Sequence, residues 1–324
     1  HLGEVAEIYD RLIHGHGPPD SSLPETQPMF QLEMARAEEL SEMSMQAELR
    51  FLEKRAPELA ARVAAASLSR GRRLFEHFLG KVISNPELLA AVEPRPQLID
   101  LAADLFEHSP YFAEALIRNP EEIHELLEVA AFTPSEQQAS LFAIDPSLRR
   151  RDHPELEHLI RTRAPLTDKT AWLRRFYRRQ MLRIQSESLC GAPIFSTLEQ
   201  TTELADWVVA AAYQVAIHEV LRSDSPEAPI TAPSQHPMHV VALGRLGMRE
   251  FDLGSDADLV FILPDPAQQE TSFWTRVAER MIDVLTSYTG EGVIFSVDTR
   301  LRPLGREGEL VQTESRYKQY FDKQ

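Results

Sequence analysis

Cysteine is nearly absent: Cys190 is the single thiol in 324 residues, so neither a disulfide within the chain nor a cysteine-rich zinc site can form. A reducing, cytoplasmic setting is the expectation. Uninterrupted apolar runs of the roughly 18 to 20 residues that span a bilayer are also missing, and the N-terminus, with Glu4, Glu7 and Asp10, has no basic flank leading into an apolar segment. No membrane association is expected. Positive charge is scarce as well, with 34 Lys and Arg against 50 Asp and Glu and a net charge of −16. That balance argues against a general binder of nucleic acid or anionic lipid, while local basic patches remain open. Hydrophobic residues at 43% and charged residues at 26% exclude wholesale disorder, and the length supports two domains or one large one. The chain begins at His1 and stops at Gln324 without an evident closing element, so it reads as a fragment.

Glycine is sparse until residue 240, after which seven of the thirteen occur: Gly244, Gly247, Gly254, Gly290, Gly292, Gly305 and Gly308. Tight turns are therefore concentrated in the last third. The first two thirds read as a helical bundle. Residues 31–68 and the Leu74-Phe75-Phe78-Leu79-Val82 pattern have helical spacing, and Asn85-Pro86, Pro94-Pro96, Ser109-Pro110 and Asn119-Pro120 punctuate a series of brief helices. Residues 14–28 read as a polar, proline-rich linker.

From Thr170 a long helix is expected, with Leu173, Phe176, Tyr177, Met181 and Ile184 on one face and Arg174, Arg175, Arg178, Arg179 and Arg183 around the rest. Those arginines read either as a solvated surface or as a face that meets phosphate or an acidic partner. Another helix is expected over 198–221. The proline-rich segment 223–237 then marks a boundary, giving a division into 1–44, 45–222 and 223–324. Beyond it the pattern becomes α/β: strands over 238–243, 258–263 and 292–297, and a helix over 272–289 with Thr271 or Ser272 as its N-cap. The overall class is α+β.

The chemistry converges on this last third. Asp256 and Asp258 open an apolar strand two residues apart, so both carboxylates point to one side, and Asp298 closes the next strand. Carboxylates that close repel unless a hard cation neutralises them, which points to Mg²⁺, up to two ions, and a nucleotide phosphate. Gly244, Gly247 and Gly254 allow backbone N–H groups to approach phosphate, while Arg245, Ser255, Arg300 and Arg302 are candidate phosphate contacts. The remaining polar residues give no rival centre. His14, His16, His236 and His239 read as loop histidines, His153, His158 and His218 as ordinary positions, Cys190 as structural, and Trp172, Trp207 and Trp274 as core.

The run Leu243-Gly244-Arg245-Leu246-Gly247-Met248-Arg249-Glu250-Phe251, then Gly254-Ser255-Asp256-Ala257-Asp258-Leu259-Val260-Phe261, then Val297-Asp298-Thr299-Arg300-Leu301-Arg302-Pro303-Leu304-Gly305-Arg306-Glu307-Gly308 resembles the glutamine synthetase adenylyltransferase/adenylyl-removing family of polymerase-β-like nucleotidyltransferases. The arginine-rich stretch 173–184 and the segments around Ser109-Pro110-Tyr111 and Arg118-Asn119-Pro120-Glu121 extend the likeness over about 45–324. Gly247-Met248 departs from the usual glycine pair, and Gly254 stands where many members have serine; neither replaces a carboxylate.

The resemblance implies a helical bundle followed by a polymerase-β-like domain. It implies Asp256, Asp258 and Asp298 as Mg²⁺ ligands and ATP as donor of AMP to a tyrosine of glutamine synthetase, with PII signal protein and glutamine as regulators. One catalytic set is present, so half of a two-part enzyme is expected. The Gly254-Ser255-Asp256-Ala257-Asp258 version resembles the adenylylating half, and phosphorolytic removal of AMP, with inorganic phosphate as acceptor, stays open. Two other readings are a non-catalytic module sensing nucleotide or PII, and a nucleotidyltransferase with a small acceptor. No His-Asp pair of the PII uridylyltransferase kind occurs.

Overall fold

The computed structural model describes residues 46–126, 153–224 and 237–323. The linker at 14–28, the helical pattern of 31–45 and most of the boundary segment lie outside the described residues, as do His14, His16 and His236. The described part is α+β: a helical portion followed by a small mixed sheet with its own helices.

Proline does what the sequence suggests. After α1 (46–55), α2 (Pro57–Ala65) opens on proline; α3 (Arg72–Ser84) does not, whereas α4 (Pro86–Val92) does. Beyond α5 (Gln97–His108), proline again opens α6 (Pro110–Arg118), the 3-10 turn Pro120–Glu125 and α7 (Pro154–Arg161). The first helical position has no N–H to satisfy, and the preceding residue is pushed to extended backbone. Asn85 uses that geometry to cap α4, its Oδ1 accepting from Glu87 N at 3.1 Å and Leu88 N at 3.2 Å. Phe75 and Phe78 of α3 pack on Phe106 of α5 with ring centres 5.5 and 5.2 Å apart, at the heart of the helical core.

Two long helices join this portion to the sheet. α8 (Leu166–Leu189) starts earlier than expected and α9 (Ile194–Asp224) extends past both predicted ends. The solvated reading of the α8 arginines is wrong for two of them, because Arg174 is 2% and Arg178 6% exposed. Arg178 is buried against Glu122 of the 3-10 turn, its Nη2 donating at 2.6 Å. Trp274 is core as expected, and Trp172 and Trp207 pack partly buried against it. His153 is not an ordinary position: it is wedged between Phe176 and Trp207, and burial lowers its pKa. Among the described residues α9 is long and apolar enough to cross a membrane by length and composition, although polar residues interrupt its apolar run. Half of that stretch is buried, and α9 packs against α8.

The sheet is centred on β2 (Ala257–Leu263). β1 (His239–Ala242) pairs with it antiparallel, so His239 is an exposed strand residue rather than a loop histidine. β3 (Val297–Asp298) and β4 (Val311–Thr313) pair with β2 in parallel. α10 (Thr271–Thr286) packs on α9 and β4, and α11 (Glu314–Phe321) follows β4. Thr271 is not the cap of α10: the 3-10 turn Asp265–Glu270 runs straight into the helix, and the Thr271 hydroxyl donates to Gln268 O at 2.7 Å. The third strand is also shorter than 292–297. Ile294 and Phe295 turn into the core, and Ile294 N donates to Leu285 O of α10, so only Val297 and Asp298 are left to pair with β2.

Candidate active site

β1 ends in a reversal that favours glycine. Gly244 has φ +53°, and a Cβ there would lie 2.1 Å from Asp258 Oδ2. Gly247 closes the single turn Gly244–Gly247 against β1, where a Cβ would lie 2.6 Å from Ala242 O. Leu243 N donates to Asp258 O at 2.8 Å, so the glycine turn and the start of β2 are stitched together.

The intervening loop hangs on α9. Phe251, fully buried, donates its N–H to Thr202 Oγ1 at 3.0 Å, and Arg249, in left-handed backbone with φ +64°, forms an ion pair with Asp206. Ser255 is buried, and its Oγ accepts from Arg245 Nη1 at 3.2 Å and from Asp252 N at 3.3 Å. The expected phosphate contacts Arg245 and Ser255 are thus brought together, with the serine hydroxyl used inside the loop. Gly254 has φ +80° and open space beside it.

Register sets the acidic trio. Asp258 and Asp298 are paired across β2 and β3, and Asp256, just before β2, is near enough for its charge to act on Asp258. The charges respond to one another. Burial first, then the Asp298 and Asp256 carboxylates, push the Asp258 pKa above its ordinary value, with Arg300 opposing them. Asp298 is held down to about 2, chiefly by hydrogen bonds from Arg300: its side-chain Nε donates to Oδ2 at 2.7 Å and its backbone N–H to Oδ1 at 2.8 Å.

Among the described residues no three acidic, histidine or cysteine side chains converge as a metal cage, and the Asp298 carboxylate is forked with Arg300. The donor chemistry still suits a hard divalent cation: three oxygen-bearing side chains, two of them raising the pKa of the third. The Arg302 guanidinium donates to Thr299 O at 2.7 Å, Gly308 O at 3.0 Å and Arg306 O at 3.3 Å, bracing the loop after β3.

Sequence reasoning missed Arg306, whose charge reaches Asp298, and the anchors Thr202 and Asp206. Arg306 sits inside the quoted motif and was within reach; the anchors lie in a helix 43 residues or more away from their partners, with no local pattern to mark them.

The family model for glutamate-ammonia ligase adenylyltransferase (GlnE) matches residues 99–324. Curated relatives called bifunctional glutamine synthetase adenylyltransferase/adenylyl-removing enzyme include one from Thioalkalivibrio sulfidiphilus, 26% identical over 72% of this chain and 24% of its own length. One from Chromobacterium violaceum is 29% identical over 73% of this chain and 24% of its own length, and one from Ralstonia nicotianae is 29% identical over 87% and 27%. The chain therefore spans about a quarter of the length of these relatives. On the extent of the family match, the chain belongs to the glutamate-ammonia ligase adenylyltransferase family.

Proposed function

We propose that this chain carries a Mg²⁺-dependent nucleotidyltransferase site that moves AMP from ATP to a tyrosine of glutamine synthetase, in the cytoplasm. Residues 45–222 form its helical bundle and 223–324 its polymerase-β-like domain. The observation that carries the reading is the Asp258–Asp298 register over the Gly244 turn, with Asp256 just before β2. The names of the relatives support glutamine synthetase as acceptor.

Asp256, Asp258 and Asp298 would hold the metal. When bound, Mg²⁺ neutralises nucleotide phosphates and makes an attacking hydroxyl more acidic. The protein contributes the rest. Gly244 leaves the space that the Asp258 carboxylate fills, and Gly254, with open space beside it, offers side-chain-free backbone for phosphate approach. Arg300 brings positive charge among the three carboxylates, where it would face charge developing on the departing pyrophosphate. PII protein and glutamine are proposed as regulators acting through the helical portion.

The test is transfer of label from α-³²P-ATP to purified glutamine synthetase with Mg²⁺, against an Asp256→Asn/Asp258→Asn control. Label that vanishes in the control supports adenylylation. If phosphate instead releases ADP from adenylylated synthetase, the chain is the removing half, since the same carboxylates serve both directions. Silence in both assays would overturn the enzymatic reading in favour of a regulatory module.

A further inference from the structure

One face of α8 closes on the segment that joins α10 to β3. Arg174 donates to Ser287 Oγ at 2.9 Å, Val284 O at 3.3 Å and Thr289 Oγ1 at 3.2 Å, satisfying the end of α10. Arg175 donates to Glu291 Oε1 at 2.8 Å. Arg178 reaches both ways: Nε and Nη2 hold Glu122, while Nη1 donates to Glu291 O at 3.1 Å and to its carboxylate at 3.3 Å. Beside it in sequence, the Tyr177 ring packs edge-on against Phe295, 5.7 Å between centres, and Phe295 packs in turn on Phe251. Ser296 O then accepts from Ala257 N at 2.8 Å, and Asp298 falls into register with Asp258.

From the end of α10 to Asp298 the chain is thus held repeatedly by α8, α10 and β2. We infer that Arg178 is a positioning residue for Asp298: by gripping Glu122 and Glu291 at once, it ties the third carboxylate to the helical portion. The inference depends on the proposed role of Asp298 for its catalytic meaning, though not for the mechanical link. A planar, five-donor guanidinium can bridge two carboxylates and a carbonyl, which an ammonium cannot do in the same geometry. Displacement of the 3-10 turn Pro120–Glu125 would reach the acidic trio through this bridge, giving a partner bound to the helices a route to the site.

The test uses the full chain carrying Arg178→Lys, which keeps the charge and loses the fork, and separately Glu122→Gln, which keeps shape should the lysine variant not fold. Amide hydrogen exchange in 291–298 is expected to rise by about tenfold or more while 259–263 of β2, held by β1 and β4, stay protected as in the unaltered chain. Mn²⁺ half-saturation, read from the free-ion electron paramagnetic resonance signal, is expected to rise by about tenfold, as when an outer partner of a ligand is lost. Unchanged exchange in 291–298 in the folded variants, or an equal rise throughout the sheet with unchanged Mn²⁺ affinity, would overturn the inference. An unaltered chain that binds no Mn²⁺, with the exchange contrast present, would count against the metal site and leave the link standing.

Discussion

The Asp258 carboxylate lies against the bare Cα of Gly244, so close that a methyl group at 244 would sit 2.1 Å from Oδ2. Gly244→Ala therefore combines a clash with the cost of a left-handed backbone, about 1–2 kcal/mol for a residue with a Cβ. The expected outcome is a folded protein with a lowered denaturation midpoint and near-complete loss of label transfer. Wild-type turnover in Gly244→Ala would show that Asp258 need not occupy this place.

Burial and two neighbouring carboxylates oppose a charge on Asp258. Removing the charge should relieve the fold while abolishing the chemistry, a trade expected of groups arranged for function. Asp258→Asn is predicted to melt at a higher temperature than the unaltered chain, with label transfer reduced by more than the roughly 10- to 100-fold that loss of an outer partner costs. Asp256 is exposed, so Asp256→Asn should lose activity with a smaller thermal gain. Calorimetry on both variants makes the comparison.

Much of this arrangement is legible in the sequence, for local reasons. The alternation that predicts Asp256 and Asp258 on one side is a property of any strand, and proline at Pro86, Pro110 and Pro120 marks helix starts through its own ring. What escapes is set by distant partners. Arg178 and Arg179 look alike along the chain, yet one is buried between Glu122 and Glu291 and the other is half-exposed beside Glu155. Residues 292–296 have strand composition, and their fate is decided by Leu285 O and the ring of Tyr177. Val311–Thr313 is too short to show a period, and its pairing depends on β2, some 50 residues earlier.

Glu107 supplies a pH-dependent clamp in the helical portion. Its carboxylate accepts from the N–H groups of Ser69 at 2.8 Å, Arg70 at 3.0 Å and Gly71 at 3.2 Å and from Ser69 Oγ at 2.8 Å, which lowers its pKa from 4.5 to about 2. A pKa depressed by folding contributes stability above the unfolded value and loses it as pH falls toward the folded one. Glu107→Gln should thus be less stable than the unaltered chain at pH 6, and the gap should close between pH about 4.5 and about 2. Urea midpoints across that range decide it; a constant gap would mean that the carboxylate charge is not what holds the turn.

Arg249 separates backbone from side-chain effects in the loop that leads to the acidic pair. Its φ of +64° is unfavourable for any residue with a Cβ, and its guanidinium is paired with Asp206 of α9. Arg249→Gly and Arg249→Ala both delete the ion pair, while only alanine keeps the strained backbone, so glycine is expected to be the more stable by about 1 kcal/mol. Denaturant midpoints at equal slope give the difference directly. If the two variants prove equally stable, the left-handed turn is imposed by the Asp206 pair and relaxes without it. The anchoring of Phe251 on Thr202 would then be the contact that keeps the loop, and with it Asp256, in place.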